Sequence, residues 1–264
     1  MKIGFIGCTT ITQAMIKSFI SEKVVSKEDI IASDMDNYEL VKVSEKFGIN
    51  TTYQRREVVE NSEIIILSER AELYPEVAYQ VKDLLTQNHI IVSIAPNMPI
   101  KEVEKWFGDN VKIIRAKPNT PAIVGESMTG ICRNSLVGFE EYNYVCRLML
   151  TFGVVEEVPE PLMDVVIAVS SSSPAYIFMF IEAMADAASS DGMPRDMAYE
   201  FAAQAVLGSA KMIIETGKHP GELKDMVCSP GGTTLEAVRV LESHGLRSSV
   251  FEAVKACADH CKKM

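Results

Sequence analysis

The sequence predicts an α/β protein: a parallel, doubly wound sheet followed by an all-α domain. Three observations carry that reading. Short apolar strands alternate with helical segments from residue 1 to about residue 157. The strand pattern stops after "VPEP" (Val158–Pro161), and beyond Leu162 the punctuation is that of helices alone.

In chain order the predicted strands are Ile3–Ile6, Ile30–Ser33, Glu63–Leu67, Ile90–Ile94, Lys112–Arg115 and Thr129–Cys132. Helices are expected to open at Ala14–Phe19 and to cover Asn37–Phe47, Leu73–Leu85 and Phe139–Leu150. In the second half, Ser173-Pro174 reads as an N-cap with proline at the first helical position. Gly192 and Pro194 close that helix and open the next, Gly217 ends the second, and Pro220 starts a short third. The last two run over Thr233–Ser243 and Leu246–Cys261. Helix Ala175–Ala188 ("AYIFMFIEAMADAA") is apolar around most of its circumference, with only Glu182 and Asp186 charged. A helix of that kind must be buried on every side, either inside a domain of about 100 residues or by intertwining with a second subunit, and the reading favours an obligate homodimer.

At 264 residues the chain is comfortable for two domains. Its formal net charge is −10, and no Lys/Arg-rich stripe appears, so nucleic acid is excluded as an expected partner. No apolar run is expected to approach the roughly 20 residues of a membrane span. Met1 leads directly into the first strand, and the expected location is cytoplasmic. Six scattered cysteines suit small buried thiols in a reducing compartment. Cys257 and Cys261 sit i,i+4 with His260 beside them, but a metal would need further ligands, so none is expected.

Ligands of doubly wound sheets bind beyond the carboxyl ends of the strands, which places the first turn, Gly7–Thr12, at the site. A dinucleotide fingerprint G-x-G-x-x-G would set glycines at 7, 9 and 12. Gly7 is present, and Thr9 and Thr12 occupy the other two places. If those positions need a positive φ, threonine costs about 1–3 kcal/mol at each. Affinity would fall roughly tenfold per 1.4 kcal/mol, with part recovered by threonine hydroxyls donating to phosphate. Asp34, after the second strand, can accept from a ribose 2′-hydroxyl, which favours NADH. Arg55 and Arg56 either serve a 2′-phosphate or lie on the solvated surface, so NADPH and NADH both stay open.

Three further segments can carry chemistry. "RAKPNTPAIVGE" (Arg115–Glu126) is a proline-bound loop, either a simple crossing or one presenting Asn119 and Thr120 to a cleft. "SSSSPAY" (Ser170–Tyr176) is a small-residue turn entering a helix, read equally as a cap or as a place of close approach. "CSPGGTTLEAV" (Cys228–Val238) is the most informative, because Gly231-Gly232 clears side chains from the start of a helix that begins with Thr233 and Thr234. Free N–H groups and the positive end of the helix dipole form a carboxylate or phosphate cradle there, with hydroxyls from Ser229 and Thr234 beside it.

Over essentially its whole length the sequence resembles the pyrroline-5-carboxylate reductase family. The resemblance is carried by "KIGFIG", "RAKPNTPAIVGE", "SPAYIFMFIEAMADA", "GMPRDMA", "KMIIETGKHPGELKDMVCSPGGTTLEAVRVLE" and "FEAVKA", in that family's order. It implies a Rossmann-type dinucleotide-binding domain, here 1–159, and a helical substrate-binding and dimerisation domain, 160–264, in dimers that can assemble further. It also implies NAD(P)H-dependent reduction of a cyclic imine, 1-pyrroline-5-carboxylate, to L-proline. By the same resemblance the N–H groups around Gly232–Thr234 receive the substrate carboxylate, with Gly231 and Asn119 also at the substrate. Ser229 and Thr234 lie near the ring. No His, Lys or carboxylate in these segments offers itself as a proton donor, so the residues themselves point to Thr234, or a water it orients, as the expected proton source. The cofactor is expected at Gly7, Thr9, Thr10, Ile11, Asp34, Ser68 and Ala95.

Departures from the family pattern fall mostly on the cofactor side. Where the family has A-V-K-P this chain has Ser68-Glu69-Arg70-Ala71; for A-A-G it has Ala95-Pro96-Asn97; for methionine before P-N-T-P it has Lys117; and S-G-S-G-P has become Ser170–Pro174. An alternative is therefore a non-catalytic paralogue that kept the dimer and the carboxylate cradle. A hydroxyacid dehydrogenase ranks last, since such enzymes use a lysine on the long interdomain helix and residues 174–188 contain none.

Overall fold

The computed structural model of the chain describes residues 1–263, which form two compact units: Met1–Ser171 with the tail from Ala258, and Ser172–Cys257. The first unit is built on eight strands, β1 (Ile3–Ile6), β2 (Ile30–Ser33), β3 (Asn50–Thr52), β4 (Ile64–Leu67), β5 (Ile90–Ser93), β6 (Lys112–Lys117), β7 (Ser127–Arg133) and β8 (Gly153–Glu157). They form one sheet in the order β3-β2-β1-β4-β5-β6-β7-β8. Neighbours are parallel except β6 and β7, which run antiparallel, so the all-parallel sheet is corrected at that edge. β3 and β8 are additions to the predicted set. Both are edge strands with half-exposed or exposed residues, "NTT" and "GVVEE", and lack the buried apolar run that reveals a central strand.

Helices cover both faces. α1 (Thr10–Ser21), α2 (Asn37–Phe47) and α6 (Phe139–Leu150) pack on one, around Phe5, Phe19 and Phe152. Phe19 lies between the other two rings, with centroids 6.2 Å from Phe5 and 6.3 Å from Phe152. α3 (Arg55–Glu60), α4 (Tyr74–Val81) and α5 (Ile100–Phe107) cover the other, around Tyr74, Val103 and Ile65. α3 and α5 are short helices the sequence reading passed over. The expected helix Leu73–Leu85 is α4 between two 3₁₀ turns, Ala71–Leu73 and Lys82–Leu84. β1 pairs with both β2 and β4, so the strand order reverses between β1 and β4 and the crevice opens beyond their carboxyl ends.

After α7 (Met163–Val166) and a π-helical turn at Ile167–Ser171, the second unit comprises α8 (Ser173–Ser190), α9 (Arg195–Thr216), α10 (Pro220–Val227), α11 (Thr233–Ser243) and α12 (Leu246–Cys261) up to Cys257. Gly217 caps α9 in the left-handed region at φ 63°, and the His219 ring nitrogen Nδ1 accepts the Gly221 N–H at the start of α10. Ser173 does not cap α8. The π-helical turn runs straight into the helix, Ser172 takes the cap position, and no side chain caps it.

Within one chain α8 and α9 are not buried on all sides: Phe178, Met179, Phe201 and Ile214 are each more than 60% exposed. An apolar surface of this extent marks an interaction face. One expectation needs correcting here. The helical stretch Glu160–Ser190 holds an 18-residue window of mean hydropathy 1.5, enough by length and composition to cross a membrane. Serines and a few acids interrupt the apolar run, so no uninterrupted stretch marks it, while the apolar residues around them keep the average at 1.5.

Lys117, largely buried at the end of β6, has its ammonium pushed down to about 8, first by burial and then by Arg115. Arg115 is itself 4% exposed and ion-paired to Glu160 at 3.4 Å and Asp164 at 3.9 Å.

Two expectations follow from this packing. Phe19→Ala leaves a hole between two rings and should cost about 3–5 kcal/mol in urea unfolding. Unfolded Lys117 keeps its proton up to about pH 10.5, whereas the folded residue loses it near 8, so the unfolded state binds more protons in that window. Stability from this group therefore rises with pH between about 8 and 10.5. Lys117→Met should raise the melting temperature at pH 7 by a few degrees and remove the rise, read by thermal scans across pH 7–10.5.

Candidate functional site

The β1 turn carries the first group of predicted residues. Gly7 has φ +103°, and a Cβ there would meet the backbone carbon of Ser68 at 3.0 Å, so the position admits glycine alone. Thr9 has φ −63° and ψ 168° and caps α1, its hydroxyl accepting the Thr12 N–H at 3.4 Å. Among the described residues only Lys23 and Asn97 are non-glycines with positive φ. The strain expected at Thr9 and Thr12 is therefore absent, because this turn uses its left-handed conformation at Gly7 alone.

Thr12 is fully buried, with its hydroxyl 2.9 Å from the Gly7 carbonyl oxygen and 2.7 Å from Ser68 Oγ. Thr9 Oγ1 lies 2.6 Å from Ser68 Oγ and 3.2 Å from Thr12 Oγ1. These hydroxyls satisfy one another within the protein, which corrects the expectation that they reach out to phosphate. Thr10 and Ile11 form the first turn of α1, whose N-terminus follows the carboxyl end of β1. With no side chain on Gly7 and a helix N-terminus behind it, the turn fits the pyrophosphate of a dinucleotide.

Asp34 accepts the Cys8 N–H at 2.7 Å through one oxygen and the Asp36 N–H at 2.9 Å through the other. Burial, then Asp34, Glu39 and Glu69, push the Cys8 thiol up to about 12, so it stays protonated and unreactive at neutral pH. Burial and the neighbouring Asp34 also raise the Glu69 carboxyl, against the pull of Arg55. Arg55 is not solvated: it is 4% exposed and ion-paired to Glu76 at 2.7 Å and Glu69 at 3.6 Å. Arg56 is on the surface, bonded to Asp83 and to the Gln80 carbonyl. Ala95 is buried in the turn after β5, two residues before Asn97 at φ +51°.

Asn119 is 8% exposed and its side chain is occupied within its own unit. Its amide nitrogen donates to the Ser170 carbonyl at 2.7 Å, and its oxygen accepts from the Ser127 hydroxyl and the Met128 N–H, each at 3.0 Å. It ties the proline-bound loop to β7 and to the turn before α8.

In the helical unit, Gly231 sits at φ +71° and Gly232 is the N-cap of α11 with φ −80° and ψ 160°. A Cβ on Gly232 would meet Ser229 Oγ at 2.6 Å, and the Gly232 N–H donates to the Ser229 carbonyl at 3.0 Å. No side chain caps this helix. Thr233 and Thr234 open it, Thr233 exposed and Thr234 half-buried. The N-terminus of this 11-residue helix is cleared of side chains and would suit an anion, with two hydroxyl residues, Ser229 and Thr234, close by in sequence.

The residue missed by the sequence reading is Thr12, counted there as a cost and found bridging Gly7 and Ser68. The signal that points to it is Ser68 directly following β4, the strand beside β1: the register pairs Leu67 with Ile6, so Ser68 falls beside the start of the turn that carries Thr9 and Thr12.

A family described as pyrroline-5-carboxylate reductase dimerisation matches residues 160–264, and one described as NADP oxidoreductase, coenzyme F420-dependent, matches residues 2–97. The chain is 44% identical to a pyrroline-5-carboxylate reductase of Escherichia coli over 263 residues, covering all of this chain and 98% of that protein. Among solved structures, a pyrroline-5-carboxylate reductase from Coxiella burnetii matches with a TM-score of 0.92 at 32% identity, over 99% of this chain and 97% of the other. A Plasmodium falciparum pyrroline carboxylate reductase with NADP bound matches with a TM-score of 0.89 at 26% identity, over 99% and 97%. With this identity along its entire length, the chain belongs to the pyrroline-5-carboxylate reductase family.

Proposed function

We propose that the protein reduces 1-pyrroline-5-carboxylate to L-proline with NAD(P)H, as a homodimer. The observation that carries the reading is the side-chain-free N-terminus of α11, behind Gly231 and Gly232, in a chain whose β1 turn fits a dinucleotide. Full-length likeness to reductases of that name supports the reaction, and the dimerisation family matched at 160–264 supports the dimer. The exposed apolar side chains of α8 and α9 are what a second copy would cover. Nothing at Thr9 or Thr12 favours a chain that has lost its cofactor, since neither residue is strained.

In this reading Gly7, Thr9, Thr10 and Ile11 hold the pyrophosphate side of the dinucleotide, Asp34 its ribose, and Ser68 and Ala95 the loops on which the nicotinamide end rests. The bound nicotinamide supplies the hydride that reduces the imine carbon. The N–H groups of Thr233 and Thr234 bind the substrate carboxylate and fix the ring, the Gly232 N–H being already given to the Ser229 carbonyl, a positioning effect that holds the imine carbon in one place. Hydride addition leaves nitrogen basic, and the proton comes from the Thr234 hydroxyl or a water it orients, with Ser229 beside it. Asn119 acts one step back, holding the loop that carries it.

The test is turnover with 1-pyrroline-5-carboxylate, followed by cofactor absorbance. Thr234→Ala should lower kcat by roughly 100-fold or more while Thr234→Ser stays near the parent. Unchanged turnover in Thr234→Ala would remove it as the proton source.

A further inference from the structure

We propose that Thr9, Thr12 and Ser68 form a single hydroxyl clasp that replaces the two missing fingerprint glycines, with Ser68 a positioning residue for the cofactor. The inference rests on the reading above of a dinucleotide at the β1 turn.

The three hydroxyls bond to one another and to the backbone of the turn. Thr12 Oγ1 donates to the Gly7 carbonyl oxygen at 2.9 Å and to Ser68 Oγ at 2.7 Å, so its one proton is shared between two acceptors. The 2.6 Å contact between Ser68 and Thr9 admits either hydroxyl as donor, and Thr9 Oγ1 accepts the Thr12 N–H. The relay ends on the Gly7 carbonyl through Thr12.

Three pieces of chain are joined by this relay: the turn after β1, the first turn of α1, and the residue after β4. Thr12 is fully buried and Ser68 is 7% exposed, so a lost hydroxyl leaves its neighbours without a partner away from water. A glycine at position 12 would let helix and strand close on each other directly. Threonine keeps them apart by the width of a side chain, and the relay fixes that separation. The cofactor meets the geometry the clasp sets rather than the hydroxyls themselves.

Because the three hydroxyls act as one unit, their removal should not be additive. The experiment compares the full-length parent with Ser68→Ala, Thr12→Val, the double variant, and the triple variant Thr9→Gly/Thr12→Gly/Ser68→Ala. Fluorescence titration gives the Kd for NADPH and NADH, steady-state kinetics separate KM from kcat, and hydrogen exchange reports residues 8–13 without cofactor. Ser68→Ala should raise cofactor Kd and KM about tenfold, with kcat within about twofold, and should speed exchange in 8–13. The double variant should be no worse than the weaker single by more than about twofold. The glycine-restoring triple variant should return to within about threefold of the parent.

Multiplying single effects, unchanged affinity and exchange in Ser68→Ala, or a triple variant as weak as Ser68→Ala would each overturn the clasp. If the parent binds and uses neither nicotinamide, the proposed function fails, and exchange in 8–13 still decides whether the three hydroxyls act together.

Discussion

The close approach of the β1 turn to the end of β4 is the constraint on which the first unit depends. The ladder continues past the strand ends: the Gly7 N–H donates to the Ser33 carbonyl at 2.8 Å, and the Ser68 N–H donates to the Ile6 carbonyl at 2.9 Å. Only a residue without a Cβ can sit between those partners, as the 3.0 Å separation from the Ser68 backbone shows. That contact fixes where α1 begins. Through the Cys8 N–H it also fixes the Asp34 carboxylate at the end of β2. A sheet crevice thus becomes a site with a fixed floor before any ligand arrives, a form of preorganisation.

The two helix N-termini assigned to anions are built differently. α1 spends one of its first-turn donors on its own cap, because Thr9 accepts the Thr12 N–H. α11 has glycine at the same position, and no side chain competes for its donors. A long, extended cofactor is held at many points and tolerates a partly occupied terminus. A small carboxylate has few contacts and needs the open one. The acidic residues around Cys8, namely Asp34, Glu39 and Glu69, sharpen the contrast. Around the β1 turn side-chain charge opposes an anion, so backbone N–H groups and the helix dipole must provide the attraction.

How much of this was legible in the sequence follows from where each signal resides. β1, β2, β4 and β5 are buried over all four of their residues, so their apolar runs announced them. β3 and β8 lie at the edges, where side chains meet water and composition carries no such mark. Helix ends in the second unit were readable because glycine and proline act locally: Gly217 adopts the left-handed conformation its position needs, and α11 spans the predicted Thr233–Ser243. The cradle at Gly231-Gly232 was legible for the same reason. The hydroxyl relay was not, since Ser68 is more than 50 positions from Thr9 and Thr12 and only the sheet register brings them level. Treating each missing glycine as an independent defect overstated the loss, because the turn was rebuilt around Gly7 and the neighbouring hydroxyls.

The two units also differ in what holds them up. The sheet unit has large buried side chains on both faces, including Phe5, Phe19, Phe152 and Tyr74. In the helical unit the buried apolar residues among Ser172–Cys257 are Ala185, Ala198, Ala202 and Leu223, while its phenylalanines are exposed. Burying alanine methyls removes too little apolar area to offset the entropy of ordering some 80 residues. The large side chains that could do so are exposed in the single chain, and a second copy is what the matched dimerisation family would bring against them. In the proposed homodimer, folding of the helical unit and dimerisation would be one equilibrium, with a stability that depends on protomer concentration. The α11 cradle stands on that equilibrium, whereas the β1 turn stands on a core its own chain completes.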